Sequence, residues 1–419
     1  MKKIVILGAG YGGILTALGL SKKYANDFTI TLIDRHDYQL FASNLYEVAT
    51  ADEELVSQRQ LKKSIAIPLS EILSGHKVTF VQAEIGEINR EQKTVAAGDR
   101  KISYDYLIVA MGSISDYFGV AGAKDFSLPL KTLTDGLRIR NAIEFAIQTH
   151  RMDISKPNVR VVIAGGGYTG VEFAAELAKE MKFVAFKNQY PPEKIEIDIV
   201  EAMPQIIAGF SQRLSQDALN RLKKLGVRVQ LSSPIAGVDQ HFLSLSTGEK
   251  LEYDVLVWAA GVRAVTLPFT QPLELDKKGR IVTNGFLQAS LGNLLSSAKP
   301  EDSIFALGDC ACVINADTRP APPTAQDAVE QAKYLVYTLP LIAKNQKPLP
   351  YKGKKHGFIV ALGGQWAIMD YGGFYFRGWV AYVVDQFAHI NYYRKVVGWV
   401  RAFKYIAFQV DIYRRNDGD

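Results

Sequence analysis

The chain has 419 residues and a mass of 46.4 kDa, which accommodates two or three domains and excludes a small cross-linked scaffold. Hydrophobic residues make up 48% and charged residues 22% at a mean hydropathy near zero, excluding disordered and collagen-like chains. Cys310 and Cys312 stand too close in sequence for ordinary disulfide geometry and point to a reducing compartment, while a net charge of +6 fits an anionic partner such as nucleotide phosphate or lipid. No secretory leader is read at the N-terminus, and no run of about 18 apolar residues is long enough to span a bilayer.

In chain order, a strand from Lys3 to Leu7, a glycine turn, a helix through about Lys23 and a strand from Thr29 to Ile33 ending at Asp34 predict a βαβ unit. The turn Gly8-Ala9-Gly10-Tyr11-Gly12-Gly13 satisfies G-x-G-x-x-G, with the acid about 20 residues further on, which is a dinucleotide-binding pattern. Gly8 makes the tight turn, Gly10 lets the backbone approach a pyrophosphate and Gly13 allows the helix to pack closely. The helix N-terminus supplies N–H groups and a positive dipole. Asp34 is placed to accept from a ribose.

The same grammar returns with a strand from Arg160 to Ile163, the turn Gly165-Gly166-Gly167-Tyr168-Thr169-Gly170, a helix from Val171 to about Lys182 and a strand from Ile195 to Val200. Glu201 then takes the place of Asp34 after a longer interval that holds Pro191 and Pro192. It is followed by Ala202, Met203 and Pro204, with no arginine for a 2′-phosphate, so NADH is expected rather than NADPH.

Apolar strands at Tyr106 to Ala110, Val255 to Ala259 and Ile304 to Leu307 each run into glycine or an acid. Loops are read at Ser296 to Asp302 and around Pro320, Pro322 and Pro323. From about Pro340 the chain turns aromatic and basic.

Two dinucleotide patterns in one chain resemble the flavoproteins with two such domains, in which the first holds FAD and an inserted second holds NAD(P)H. Supporting segments are Tyr106 to Gly112, Val255 to Gly261 and Ile304 to Ala311, which contains Gly308-Asp309. Disulfide reductases of this fold carry C-x-x-x-x-C soon after the second strand; here Phe41-Ala42-Ser43-Asn44-Leu45-Tyr46-Glu47 has no cysteine. The chain is most similar to the type II NADH:quinone oxidoreductases, whose quinone motif A-Q-x-A-x-Q is matched by Ala325-Gln326-Asp327-Ala328-Val329-Glu330 except at its last position. Glu330 there could move protons, repel an anionic ring or form an ion pair, and Thr324 equally fits a helix cap. Lys354 to Gly363, which includes Lys355 and His356, also resembles that family.

The resemblance implies an α/β chain with two Rossmann-like domains, the second inserted in the first, and a C-terminal membrane-associated helical region. Its divisions are 1–112 and 277–339 for FAD, 113–276 for NADH and 340–419 for membrane anchoring and the quinone site. It implies FAD contacts at Gly8, Gly10, Tyr11, Gly12, Gly13, Asp34, Arg35, Asn44, Gly112, Gly308 and Asp309. NADH contacts are implied at Gly165, Gly167, Tyr168, Gly170, Glu201 and Gly261, cofactor contacts also at Ala325 and Gln326, and catalytic roles on the acceptor side at Gln326 and Glu330. Glu172 would orient nicotinamide or relay a proton, although a first-turn glutamate is also favoured by the helix dipole alone. No metal site is read, and His389 is taken as structural or surface.

Near the C-terminus, Val396, Trp399, Val400, Phe403, Ile406, Ala407 and Val410 fall on one helical stripe edged by Arg394, Lys395, Arg401 and Lys404. This suits a helix in the headgroup layer of an anionic bilayer, and also a core or dimer helix. The expected partners are menaquinone or ubiquinone, an anionic lipid surface and a second copy of the chain, with no nucleic acid. The expected location is peripheral, on the cytoplasmic side of the cell membrane. Two other functions fit the same patterns: sulfide:quinone or another flavin-linked reduction, and NADH sensing.

Overall fold

The computed structural model describes all residues except 52–63, 154–157, 292–299, 316–318, 355–356, 372 and 418–419. Most of the loop read at Ser296 to Asp302, together with Lys355 and His356, lies outside the described residues.

Strand β1 (Lys2–Leu7) feeds helix α1 (Tyr11–Tyr24), which returns to β2 (Phe28–Asp34). Helix α2 (Leu45–Thr50), β3 (Val78–Gln82) and β4 (Tyr106–Val109) follow. Ile4 to Leu7 carry apolar side chains on both faces of β1 and are fully enclosed, as a strand inside a parallel sheet requires. Ile4 pairs with Ile30 on one side and with Tyr106 on the other.

The inserted unit runs β5 (Leu128–Pro129), α3 (Leu133–Met152), β6 (Val159–Ala164), α4 (Tyr168–Lys187), β7 (Ile195–Val200), α5 (Gln212–Lys224), β8 (Arg228–Gln230) and β9 (Val255–Trp258). Its sheet has the order β5-β9-β6-β7-β8, parallel throughout.

After it, β10 (Gln288–Ser290) and β11 (Pro300–Ala306) rejoin the first sheet, giving the order β10-β11-β4-β1-β2-β3. Ile304 pairs with Leu107, so the second unit is inserted into the first. In both sheets the glycine turn leaves the central strand where strand order reverses, the crevice in which α/β folds bind ligands.

Helix α6 (Ala325–Ala343) packs against α1. Pro340 lies inside α6, so the change of composition there does not end an element. The antiparallel strands β12 (Phe358–Ala361), β13 (Ala367–Tyr371) and β14 (Phe374–Gly378) lead into α7 (Trp379–Val397) and α8 (Trp399–Asp417). This region touches both units. Gly364 N–H donates to Glu176 on α4 at 3.1 Å, while Tyr393 on α7 donates to the Ser64 carbonyl at 3.0 Å.

The expected single stripe from Val396 to Val410 is divided. Gly398, at φ 80°, separates α7 from α8, a left-handed conformation in which glycine avoids a Cβ clash. Val396 and Ile406 then join the core, while Trp399, Val400 and Phe403 face outward at 54%, 86% and 57% exposure. No described helix is long and apolar enough to cross a membrane.

Candidate active site

The two glycine turns share one geometry. A Cβ on Gly8 would meet the Ala110 carbonyl oxygen at 2.4 Å, and one on Gly165 would meet the Ala260 Cα at 2.5 Å. One on Gly13 or Gly170 would strike the carbonyl oxygen of Gly8 or Gly165, at 1.9 and 2.0 Å. These four glycines are therefore required by the protein's own packing. Gly10 and Gly167 differ, because nothing lies within 4 Å of their added Cβ. They cap α1 and α4 without a side-chain hydrogen bond, leaving helix N-termini free for phosphate oxygens.

Each acid ties its own strand to its own turn. Asp34 accepts from Ala9 N–H at 2.7 Å and His36 N–H at 2.8 Å, and Glu201 accepts from Gly166 N–H at 2.5 Å and Met203 N–H at 2.8 Å. Both carboxylates are thus fixed at strand ends with lone pairs remaining for a ribose.

A continuous cavity of about 1120 Å³ joins the two turns. From the first unit it is lined by Gly8, Gly10, Tyr11, Gly12, Asp34 and Arg35, and from the return strands by Gly112, Gly308 and Asp309. From the inserted unit come Gly167, Tyr168, Glu172 and Gly261, and from the start of α6 come Ala325, Gln326 and Glu330. Gly13, Gly165 and Gly170 stand behind this wall, and Glu201, half-buried at the end of β7, supports its turn without being part of the lining. Asn44 is also behind it: the side chain is fully buried and donates to Glu47, while Ser43 and Leu45 reach the cavity.

Near Asp309 the cavity holds a polar trio. Ser113 donates to Asp309 at 2.6 Å, Lys131 donates to Ser113 at 2.9 Å, and the Lys131 amine lies 3.9 Å from the Asp309 carboxylate. Burial lowers the Lys131 pKa against the pull of that carboxylate. A lone serine and lysine carry no pattern, so sequence reading does not find them. Tyr11 donates to or accepts from Ser43 at 3.1 Å, packs edge-on against Tyr392 at 4.8 Å and has its phenol pushed up to about 12 by burial.

At the other end, α6 begins at a Thr324 cap that accepts from Asp327 N–H at 3.1 Å. The helix-cap reading and the site reading hold together, because the first turn after the cap carries Gln326 into the cavity. Glu330 is ion-paired with Lys333 and, at 3.7 Å, with Lys354.

One face of α7 closes this end. Asp385, Ala388, His389, Tyr392 and Lys395 all reach the cavity, and their spacing places them along one side of a helix. His389, read from sequence as structural or surface, lies 3.7 Å from Asp385 with its ring edge-on to Phe41 at 5.2 Å. The polar spacing within an apolar helix is the signal that could have found this face. Glu172 accepts from Ala361 N–H at 3.3 Å. Its pKa is raised well above the ordinary carboxylate range by burial and then by the charge of Asp385; burial raises Asp385 too, opposed by His389.

Cys310 and Cys312 are both buried and not joined in a disulfide. Burial raises Cys310 to about 11, so it is held as a neutral thiol.

A nucleotide-binding α/β core with a second dinucleotide turn and a cavity between them defines a pyridine nucleotide-dependent flavoprotein fold. The family model for pyridine nucleotide-disulphide oxidoreductases matches residues 2–332, and the chain belongs to that family. Within it, the type II NADH:quinone oxidoreductase of Staphylococcus saprophyticus is 30% identical over 369 residues, spanning 86% of this chain and 88% of that protein. The Staphylococcus aureus protein of the same name is 31% identical over 369 residues with the same coverage. The chain belongs to the type II NADH:quinone oxidoreductase family. In fold it is similar to NDH2 from Plasmodium falciparum, solved in complex with NADH, at a TM-score of 0.85 and 20% identity over 99% of this chain and 98% of that one. The sulfide:quinone oxidoreductase of Aquifex aeolicus shares the fold at a TM-score of 0.75 and 17% identity, over 95% of this chain and 92% of that one.

Proposed function

We propose that the chain oxidises NADH through bound FAD and passes two electrons to a membrane quinone, menaquinone or ubiquinone. The observation that carries this reading is the single cavity running from Gly10 past Gly167 to Gln326 and α7. FAD suits the first unit because the Gly10 and Gly112 positions are open to an approaching ligand and the α1 N-terminus lacks a side-chain cap. When bound, it supplies the two-electron step between a hydride donor and a quinone.

The protein's own part is to place and to enclose. Asp34 and Arg35 stand where the adenosine ribose would lie, and the trio of Ser113, Lys131 and Asp309 offers polar contacts further along. Gly167, Tyr168 and Gly261 form the NADH side, with Glu201 fixing the turn and rejecting a 2′-phosphate by charge. At the acceptor end Gln326 offers an amide to a quinone carbonyl, and its helix dipole favours developing negative charge there. Glu172 and Asp385 are raised carboxyls on the cavity wall and are suited to hold protons for the reduced acceptor. Glu330 is neutralised by Lys333 and Lys354 rather than left as a lone charge.

The outward Trp399, Val400 and Phe403 beside Arg394 and Arg401 support peripheral attachment, and the negative surface of a cytoplasmic leaflet would attract that basic edge. A homodimer is part of the same reading, supported by Phe145, Met152 and Phe186, which α3 and α4 leave 71%, 89% and 81% exposed.

Anaerobic stopped-flow absorbance tests the reaction. Mixing with NADH is expected to bleach the flavin band at about 450 nm, and a quinone analogue is expected to restore it. Bleaching without recovery would overturn the acceptor assignment, and no bleaching would overturn the donor.

A further inference from the structure

A second cavity, of about 530 Å³, lies outside the first among α1, α6 and the α7–α8 junction. Its rim carries Lys22, Lys23, Lys333, Arg394, Lys395 and Arg401, while its floor is apolar, with Leu15, Leu18, Val336 and Val397. A volume in this range suits a small-molecule group. Among the described residues one carboxylate, Glu71, lines it, and that group is already engaged by Arg401 at 3.3 Å and Tyr405 at 3.0 Å.

The charges are therefore unbalanced. Lys395 shows the strain: burial lowers its pKa first, and the neighbouring charges of Lys333 and Arg394 lower it further, with Glu330 opposing them. Like charges crowded around a partly desolvated groove favour an anion. The position indicates which anion. Arg394 stacks over the Trp399 ring at 4.8 Å, and that ring stacks on Phe403 at 5.8 Å, so the rim continues into the exposed apolar face of α8. A phosphate with attached acyl chains matches a cationic rim, an apolar floor and an apolar margin at once.

We propose that this groove is a binding site for one anionic phospholipid, its phosphate held by Lys22, Lys333, Arg394 and Lys395 and its first methylenes on Leu18, Val336 and Val397. The proposal rests on the peripheral membrane reading above and goes beyond it by assigning a discrete site. It also links lipid to the acceptor end. Lys333 and Lys395 line both cavities, and Lys333 is the partner of Glu330. A phosphate in the groove competes with Glu330 for Lys333, and so alters the charge facing the quinone end.

The test uses the full-length flavin-loaded protein and short-chain dihexanoyl phosphatidylglycerol, followed by the fluorescence of Trp399 against a Trp399→Phe control. Saturable binding is expected, with dihexanoyl phosphatidylcholine and inorganic phosphate each binding at least tenfold more weakly. The double variant Lys22→Gln/Arg394→Gln, neither residue of which lines the main cavity, is expected to lose about tenfold or more in lipid affinity. Lys404→Gln, a basic change on α8 outside the groove, is expected to lose less than twofold, and unchanged flavin absorbance confirms that both variants fold. Equal losses in both variants, no loss in the double variant, or equally tight inorganic phosphate would overturn the proposal. Flotation with vesicles of phosphatidylcholine, with and without phosphatidylglycerol, separates the two readings. Protein that fails to float yet binds the short-chain lipid overturns membrane attachment alone, and protein that floats yet shows no saturable short-chain binding overturns the groove alone.

Discussion

The Glu201 carboxylate accepts from the backbone N–H of Gly166 at 2.5 Å, so the acid at the end of β7 holds the turn that leaves β6. Asp34 does the same to Ala9 at 2.7 Å in the other unit. Each acid therefore fixes a glycine turn, and on the proposed reading presents its remaining lone pairs to a ribose. Glu201→Ala removes both. The KM for NADH is expected to rise about tenfold, the worth of one charge-assisted hydrogen bond, with kcat changed less than threefold. NADPH is not expected to become a substrate, because no arginine follows Glu201. Steady-state kinetics with both nucleotides and a soluble quinone analogue check this.

The glycines divide into those the protein's own packing requires and those whose side-chain space is open. Gly13→Ala would bring a methyl to 1.9 Å from the Gly8 carbonyl oxygen, forcing the turn apart, and is expected to lower the melting temperature of flavin-free protein by several degrees. Gly10→Ala meets no protein atom within 4 Å and is expected to leave flavin-free stability unchanged while cutting flavin content. Equal melting losses in the two variants would show that Gly10 is not a cradle.

Much of this was legible because a glycine turn between strand and helix is a local pattern with a local cause. β7 falls from Ile195 to Val200 as expected, and the other strands differ from expectation by a few residues at their ends. The α8 stripe was legible only in part. Helical spacing places Ile406 and Phe403 near one face, but Gly398 resets the register and the core takes Ile406 while leaving Phe403 outside. Asp385 and His389 were missed because their surroundings come from distant parts of the chain, Asp385 acting by its charge on Glu172 and His389 packing edge-on to Phe41, which no local spacing encodes. That division is testable. Phe403→Asp is expected to leave the melting temperature within about 2 °C and abolish flotation with anionic vesicles, whereas Ile406→Asp buries a charge and is expected to cost about 3 kcal/mol or more.

Glu330 differs from the glutamine usual at its position, and the structure shows how the difference is absorbed. Lys333 and Lys354 neutralise it, and these partners are 46% and 74% exposed, so the pair contributes ~1 kcal/mol or less. Glu330→Gln is expected to keep turnover within about threefold and stability nearly unchanged. Gln326→Ala is expected to raise the quinone KM by about tenfold through a lost hydrogen bond to the acceptor. Quinone reduction that survives unchanged in the Gln326→Ala/Glu330→Gln double variant would remove α6 from the acceptor site.

Glu172 and Asp385 both line the cavity and both carboxyls are raised, mainly by burial, with the charge of Asp385 adding to the rise at Glu172. A raised folded-state pKa means that the native protein binds more protons than the unfolded chain between the ordinary carboxylate pKa and the raised one. Stability therefore falls as pH climbs through that window, and the full penalty remains above it. Glu172→Gln keeps an oxygen for Ala361 N–H and removes the ionisable group. It is expected to raise the melting temperature more at pH 8 than at pH 5, by ~1–3 kcal/mol in stability at the higher pH. On the proposed reading, that proton passes to the acceptor, so the variant is expected to slow quinone-driven reoxidation more than NADH-driven bleaching, and to flatten the alkaline fall of the reoxidation rate. A variant equally stable at both pH values, with an unaltered rate profile, would show that Glu172 is ionised in the resting protein and holds no proton for the quinone.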